Sequence, residues 1–380
     1  MRYSQLKVLN RKRLFFLILL FATFQTFYFY GLQLSLFSIF SFVLSVICVE
    51  QKGFQWRDLQ ETTVFYIVIL LSLFVNIPSG HYFNINSLLG IFIGPVCYLI
   101  TKQWLREFSH KEITLIINKV LIFHLFFFYL QLIWYIAFGE VLDFLGTVTG
   151  ESSRNLNNLG VIRASGLFNE PMVYSFFMFS LLLARKMNKD IGLDRVAIVV
   201  LISMIISLSS WGIVASCLYI LTEVRFDKSK IAGLVALFLV IIIMFYFTGI
   251  GSIISVIWET RFAQLDQDGS FQYRYGLTAE ALSENPDILF FGNGLAVPGK
   301  NGILELSLFL QIVTNLGLIL GGIFLFIALR PLLALTKLKL ILLLCVFFTA
   351  DLRFQQLYFW FFVAFINVSQ SRSFKLGLHK

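Results

Sequence analysis

The residues best suited to chemistry lie in the segment Arg163-Ala-Ser-Gly-Leu-Phe-Asn-Glu-Pro171, which joins a polar stretch to a long apolar run. The segment places a guanidinium (Arg163) and a carboxylate (Glu170) beside a proline that suits the first turn of a helix. Because the free backbone N–H groups at a helix start favour anions, this junction suits a phosphate group. A simpler interpretation stays open, in which Arg163 anchors the interface to lipid headgroups and Glu170 favours the helix N-terminus.

A second polar stretch carries arginines beside aromatic side chains. It contains Arg261, then Gln272-Tyr273-Arg274-Tyr275, then Phe290-Phe291-Gly292-Asn293-Gly294. An arginine binds diphosphate oxygens in a bidentate manner, and its charge does not titrate away. Tyr273 and Tyr275 are candidates for stacking on sugar faces, whereas Arg274 taken alone also fits a solvated loop cation. Two such stretches in one chain favour an anionic ligand.

Other kinds of site are poorly supported. The four histidines have no histidine partner at helical spacing, so we expect no metal site. The segment from Gly294 to Lys300 fits the phosphate-binding pattern of nucleotide enzymes, but Asn301 stands where a Ser or Thr should bind magnesium. We therefore expect neither a nucleotide nor any other cofactor.

The composition identifies the elements that must position these residues. The 380-residue chain is 58% apolar and 13% charged, with a mean hydropathy of +0.83, whereas soluble domains are about 45–50% apolar and about 25% charged. Apolar runs long enough for membrane helices, and too unbroken for barrel strands, recur along the chain. The prediction is an all-α, polytopic integral membrane protein.

We expect ten to twelve spans, near residues 14–30, 32–49, 62–77, 87–101, 115–138, 166–184, 196–208, 210–223, 231–249, 304–329, 338–350 and 357–368. The pairs 196–208/210–223 and 338–350/357–368 are short for full crossings, so each is either a tight hairpin or one broken helix. The predicted regions are N-terminal helices 1–138, a first external loop 139–165, central helices 166–249, a large external loop 250–303 and C-terminal helices 304–380.

The distribution of charge gives the orientation. The net charge is +9, and most of the 30 Lys and Arg residues fall in short segments that are cytoplasmic if the N-terminus is cytoplasmic, such as the one containing Lys102 and Arg106. The two long polar stretches and most acidic residues then lie outside, and both termini lie inside. Because the positive charge follows this alternation, membrane lipid is the expected surroundings, and nucleic-acid binding is disfavoured.

In order and topology these segments resemble the O-antigen polymerase/ligase superfamily, which comprises Wzy-type polymerases and related lipid-linked oligosaccharide transferases of the glycosyltransferase-C class. The resemblance covers roughly residues 160 to 330 and is carried by 163–171, Ser207-Leu-Ser-Ser-Trp-Gly212, the stretch from Arg274 to Gly294, and Leu310-Gln311 with Leu316-Gly317-Leu318. Residues 1–140 contribute only a matching number of spans.

The resemblance implies an enzyme that joins oligosaccharide repeats carried on undecaprenyl pyrophosphate into O-antigen or capsule, on the external face of the bacterial cytoplasmic (inner) membrane. Arg163 and Arg274, with Arg261 third, are the expected pyrophosphate ligands. Glu170 and Glu305 are the candidate carboxylates that activate the acceptor hydroxyl, although Glu305 fits equally well as an acid before a helix. A chain-length regulator is a possible partner.

Two alternative functions remain open. The first is an O-antigen ligase that transfers glycan to lipid A core, but where ligase-like members carry a His-Asn pair this chain has Leu306 and Ser307. The second is a solute transporter, which needs charged residues deep inside its spans. Asp351 and Arg353 are the notable candidates, and they lie at a hairpin that could be external.

Overall fold

The computed structural model describes residues 2–24, 36–47, 54–76, 85–149, 162–189, 191–223, 290, 292, 307–330, 335, 337–349 and 352–377. Within these ranges the chain forms twelve helices and no strand. In chain order they are α1 (Arg2–Thr23), α2 (Leu36–Ile47), α3 (Trp56–Asn76), α4 (Ile85–Glu107), α5 (His110–Phe138), α6 (Phe144–Thr149), α7 (Pro171–Lys189), α8 (Arg195–Ile206), α9 (Ser210–Glu223), α10 (Leu308–Leu329), α11 (Lys337–Phe347) and α12 (Leu357–Gly377). The predicted all-α class is confirmed. The predicted span 231–249 lies outside the described residues.

Three of the described helices are long and apolar enough to cross a membrane: Trp56–Val75, His110–Phe138 and Leu308–Leu329. Arg195–Ile206 and Leu357–Ser369 are shorter apolar helices. An α-helix rises about 1.5 Å per residue, so helices of the first group match the thickness of a bilayer core. These apolar helices make the chain an integral membrane protein.

Aromatic side chains fill the interior where α12 packs between α4 and α7. Trp360 is fully buried and meets Phe65 and Phe324, with ring centroids 5.1 and 5.6 Å apart. Its indole Nε1 donates to the Phe354 carbonyl at 2.9 Å. The ring lies directly over Gly94, where there is no room for a side chain. The many phenylalanines therefore form the core between helices as well as the surface that faces lipid.

A buried cluster of charges joins α3 to α4. The Lys102 ammonium, only 3% exposed, lies 2.7 Å from Asp58 and 2.6 Å from Glu61. Arg106 binds the same Asp58 carboxylate, and the Tyr98 hydroxyl donates to Glu61 at 2.7 Å. The span expected near 87–101 continues as α4 to Glu107, so Lys102 and Arg106 belong to the helix. The pairing of these charges offsets their loss of hydration.

The same end of the helix bundle collects further polar contacts. Arg11 of α1 binds Glu107, 3.2 Å away, and Lys12 binds Glu112 at the start of α5, 2.7 Å away. Asn188, near the end of α7, donates to the His110 carbonyl at 2.7 Å. The start of α5 and the ends of α4 and α7 therefore meet at one end of the molecule, which is the end that the charge pattern predicts to be cytoplasmic.

Helices α8 and α9 form a hairpin against α7. At the base, Arg185 of α7 binds Asp194, just before α8, and the neighbouring Lys186 binds Glu223, the last residue of α9. At the tip, Leu208 turns the chain with φ 54°. The start of α8 and the end of α9 are both fixed to adjacent residues of α7. The pair 196–208/210–223 is therefore a helical hairpin and not one broken helix.

Helix α10 is sharply bent, although an unbroken span was expected over 304–329. Gly317 has φ 76° and ψ 171°, which are not helical values. The bend brings Ile312 against Gly321, whose Cβ position lies 3.3 Å from the Ile312 carbonyl oxygen. A straight helix would separate these residues by about 13 Å. The positive φ explains why glycine occupies the bend.

Candidate functional site

The segment from Ile162 to Glu170 forms a compact turn in front of α7. Arg163 is half-buried, and the two residues after it, Ala164 and Ser165, are buried. The Ser165 hydroxyl donates to the Phe168 carbonyl at 2.6 Å, and the Phe168 N–H donates back to the Ser165 carbonyl at 3.1 Å. These bonds close the turn and fix the backbone next to Arg163.

Gly166 allows the turn to press against α5. Its φ is +60°, a region that side chains other than glycine rarely adopt. A Cβ atom at this position would lie 3.1 Å from the Phe128 backbone nitrogen. The backbone conformation therefore favours glycine here, and an added side chain would also press against the backbone of α5.

Gln131, which the sequence analysis missed, holds this turn from α5. Its side chain is fully buried. The Oε1 atom accepts hydrogen bonds from the backbone N–H groups of Ser165 at 2.8 Å and Gly166 at 3.0 Å. The Nε2 group donates to the Leu142 carbonyl at 2.8 Å. A lone glutamine within an apolar helix is the signal that could have found it, since buried amides are kept where backbone groups need partners.

An aromatic cluster packs between this turn and the helices α5 and α7. Phe168 is fully buried and packs against Phe177 of α7 and the His124 ring of α5, with centroids 5.2 and 5.0 Å apart. His124 in turn shares a hydrogen bond of 2.8 Å with Thr23 of α1. Three helices thus converge under the segment that contains Arg163. His124 here serves packing, and the described residues contain no cluster of potential metal ligands.

The second half of the segment leads directly into α7. Pro171 is the first helical residue, as its place in the sequence predicts, so α7 begins there and not at residue 166. Glu170 is half-buried and supplies the first carbonyl of the helix, which accepts from the Tyr174 N–H at 3.1 Å. Glu170 therefore lies at the helix end that favours anions, and Arg163 lies in the turn that leads into it.

Hydroxyl groups line the contact between the first turns of α7 and the tip of the α8–α9 hairpin. The Tyr174 hydroxyl lies 2.7 Å from the Ser203 hydroxyl, and the Ser175 hydroxyl lies 3.1 Å from that of Ser207. Gly212 leaves the space that Ser175 occupies, because a Cβ there would be 2.5 Å from the serine oxygen. The Ser207–Gly212 motif therefore packs against the first turns of α7, the helix that follows the segment 163–171.

A second contact lies where α10 bends. Gly292, from the second polar stretch, is buried with φ +75°. Its Cβ position is 2.5 Å from both the Asn315 carbonyl oxygen and the Gly317 nitrogen. The Ser72 hydroxyl of α3 donates to the same carbonyl at 3.3 Å. Two motifs that are far apart in sequence, around Gly292 and Gly317, are therefore in contact.

Arg261, Arg274, Tyr273, Tyr275 and Glu305 lie outside the described residues. Arg353 lies in the turn between α11 and α12 and is half-buried, while Asp351 is outside the described residues. Of the predicted site, the structure thus describes Arg163 and Glu170.

The chain matches a known protein-family model over part of its length. Residues 128–306, a little under half of the chain, match the model described as WcaD colanic acid polymerase. The match begins at Phe128, which contacts the turn at Gly166, and it includes both polar stretches. Comparisons with curated proteins and with solved structures found no match. The family match supports a Wzy-type O-antigen polymerase family and indicates a glycosyltransferase-type polymerase of polysaccharide repeat units.

Proposed function

We propose that this polysaccharide repeat-unit polymerase uses oligosaccharides carried on undecaprenyl pyrophosphate and works on the external face of the cytoplasmic (inner) membrane. Its two long polar stretches, 139–165 and 250–303, face outward, and both termini are cytoplasmic. The product is a surface polysaccharide such as O-antigen or capsule. A chain-length regulator is a possible partner.

The proposed reaction transfers the growing chain to a new repeat. A sugar hydroxyl of one lipid-linked repeat attacks the anomeric carbon of the growing chain, forming a new C–O bond. The bond from that carbon to the pyrophosphate breaks, and the lipid pyrophosphate leaves with the electron pair. A carboxylate accepts the hydroxyl proton. Because the leaving group already carries the activation, the reaction requires neither ATP nor a nucleotide sugar.

Arg163 and Arg274, with Arg261 third, are proposed to bind the pyrophosphate and stabilise the charge that develops as it leaves. Fixed donors are effective because they need no rearrangement during the reaction. The observation that carries this proposal is the rigid turn that contains Arg163. Gln131 accepts a hydrogen bond from the Ser165 N–H, two residues further along, and Phe168 packs against Phe177 of α7. Tyr273 and Tyr275 are proposed sugar contacts.

The arginine proposal is tested by Arg163→Ala and Arg274→Ala in the full-length protein. Each is expected to lower polymer formation from a lipid-linked repeat about a hundredfold at normal insertion levels. Arg195→Ala is the matched control, because Arg195 is an exposed arginine at the opposite end of the bundle. If both variants extend the glycan at the wild-type level, Arg163 and Arg274 do not bind the pyrophosphate as proposed.

The carboxylate proposal is tested separately by Glu170→Gln and Glu305→Gln. Replacing the true proton acceptor by glutamine should remove most of the enzyme's activity, since glutamine keeps the shape of glutamate but cannot accept the proton. Glu140→Gln is the control, because Glu140 is an exposed carboxylate beyond the end of α5. If both variants stay fully active, neither residue is the base.

Polymerase and ligase differ in what accumulates without the protein. Loss of a polymerase leaves products with a single repeat, whereas loss of a ligase leaves long chains that are not attached to their acceptor. Glycan gels of a deletion strain distinguish the two. A transporter would instead support gradient-driven uptake of solute into vesicles that contain the purified protein.

A further inference from the structure

We infer that Gln131 is a positioning residue for the polymerase reaction: it holds Arg163 at the start of α7 by binding the backbone beside it. This inference rests on the proposed function, because it acts through the pyrophosphate contact of Arg163. Gln131 lies near the outer end of α5 and is fully buried. It therefore acts without touching substrate.

The hydrogen bonds of Gln131 use both ends of its amide. The Oε1 atom accepts two adjacent backbone N–H groups, those of Ser165 and Gly166, at 2.8 and 3.0 Å. Neither residue belongs to a helix, so no helical carbonyl is available to these donors. A buried N–H without a partner is unfavourable, and the turn is therefore stable mainly in the place where Gln131 accepts both bonds.

The same side chain also closes the base of the first polar loop. Its Nε2 group donates to the Leu142 carbonyl at 2.8 Å. Leu142 is near the beginning of the predicted loop 139–165, and Ser165 is at its end. One amide thus joins α5 to both ends of a loop, which fixes where the chain re-enters the bundle before α7.

Arg163 has little freedom to move independently of these contacts. Only Ala164, which is 1% exposed, separates it from Ser165, which is fully buried. On the far side, Gly166 is pressed against the Phe128 backbone. A displacement of the Ser165 peptide therefore moves the nearby Arg163 backbone, and a shift of about 1 Å in a binding group can lower a rate about a hundredfold.

The test compares Gln131→Met, which removes both hydrogen-bonding functions at similar size, with Gln131→Glu, which keeps the acceptor. Polymer formation from a lipid-linked repeat is measured on full-length protein and normalised to inserted protein. We expect Gln131→Met to lose about a hundredfold in kcat/KM and Gln131→Glu to stay close to wild type. Full activity of Gln131→Met, or equal loss in both variants, overturns the inference.

Asn188→Leu is the matched control. Asn188 is a buried amide that joins the same two helices, α5 and α7, at their other end, with bonds of 2.7 Å to the His110 carbonyl and 3.0 Å to Thr114. Its loss is expected to lower stability without lowering activity per folded molecule. If Asn188→Leu lowers activity as much as Gln131→Met, the effect of Gln131 is only structural.

Combination with Arg163→Ala separates this inference from the proposed function. If Gln131 acts through Arg163, the double variant Gln131→Met/Arg163→Ala should be no less active than Arg163→Ala alone, because residues that act as a unit are not additive. If the activity losses of the two single variants multiply in the double variant, the inference is overturned, but the proposed binding of pyrophosphate by Arg163 is not. A fully active Arg163→Ala variant overturns both the inference and the proposed role of Arg163.

Gly166→Ala is the second test, for the case in which Gln131→Met fails to insert into the membrane. It is expected to lose activity, because the added methyl group pushes the turn away from Phe128. Full activity of Gly166→Ala overturns the inference.

Discussion

At the scale of single residues, Gly292 connects the second polar stretch to the bend of α10. Its positive φ and the backbone atoms 2.5 Å from its Cβ position leave no room for alanine. Gly292→Ala should therefore displace this stretch from Asn315 and Gly317 and lower polymer formation at least tenfold, in keeping with the effect of small misplacements. The measurement is the rate of extension per inserted molecule.

Gly322→Ala provides the control for this prediction. Gly322 lies in the same helix, α10, but a Cβ added there meets nothing within 4 Å. Alanine also favours the helix by about 1 kcal/mol over glycine. We expect activity at the wild-type level and equal or higher thermal stability. A Gly292→Ala enzyme that matches Gly322→Ala would show that the contact at the bend does not serve catalysis.

The residues of the site differ in how far they can be predicted from sequence. Arg163, Glu170 and Pro171 stand out because charge and proline are conspicuous beside an apolar run. Gln131 and Gly166 do not, because their roles depend on a contact between segments more than thirty residues apart. Local sequence reveals groups suited to chemistry, but it does not reveal which buried amide satisfies which backbone.

At the scale of helices, the α3–α4 cluster tests how much a buried charge matters. Lys102→Met removes the ammonium that lies between the buried Asp58 carboxylate and the half-buried Glu61 carboxylate. Removing one partner of a buried pair typically costs about 3–5 kcal/mol. Lys102→Met should therefore show a clearly lower thermal unfolding temperature in detergent.

Arg57→Ala is the control for Lys102→Met, because it removes another cation from the same Glu61. The Arg57 side chain is 64% exposed, and its contact with Glu61 measures 3.1 Å. Exposed pairs contribute about 0–1 kcal/mol, so the unfolding temperature should hardly change. Equal losses in the two variants would contradict the importance of burial at this cluster.

The base of the α8–α9 hairpin gives a prediction about pH. Burial alone would raise the pKa of Asp194, but hydrogen bonds from Arg185 and from the Ala197 N–H outweigh it and lower the pKa below its usual value. The ionised carboxylate thus stabilises the fold at neutral pH, and this contribution is lost as the pH falls through the lowered pKa. Asp194→Asn should lose stability at pH 7 and differ little from wild type once the pH is below that value.

Unfolding curves of wild type and Asp194→Asn, recorded from neutral to acidic pH, test the sign of this effect. Lys189→Ala is the control, since Lys189 is exposed in the last turn of α7. If the difference in stability between wild type and Asp194→Asn stays constant or increases as the pH falls, the predicted linkage is wrong.

The positions of most described helices follow from apolar runs, but their shapes do not. The sequence of residues 196–223 fits either a hairpin or one broken helix, and the ion pairs with α7 decide between the two. The run 304–329 gave no sign of the bend at Gly317, because a glycine in an apolar helix is also common where helices pack closely. Hydropathy measures the preference for lipid, whereas these shapes depend on partners elsewhere in the chain.

At the scale of the whole molecule, the two ends of the bundle differ in chemistry. One end holds the ion pairs of α1, α3, α4, α5 and α7. The other holds the turn at Arg163 and Gly166, and the contact of Gly292 with α10. Because cytoplasmic segments are enriched in Lys and Arg, the first end is proposed to be cytoplasmic and the second to face outward. A lipid carrier with its sugar outside could then reach Arg163 without any sugar crossing the bundle.

Single cysteines test this orientation in a variant whose four native cysteines have been replaced. Glu140→Cys places an exposed thiol beyond α5 at the Arg163 end, and Lys189→Cys places one at the opposite end of α7. A membrane-impermeant maleimide should label the first thiol in cells whose cytoplasmic membrane is intact, and the second only after that membrane is permeabilised. The reverse pattern would invert the molecule and place the turn that contains Arg163 in the cytoplasm. A lipid-linked sugar exposed outside could not reach it there, so the labelling result decides whether Arg163 can contact the proposed substrate at all.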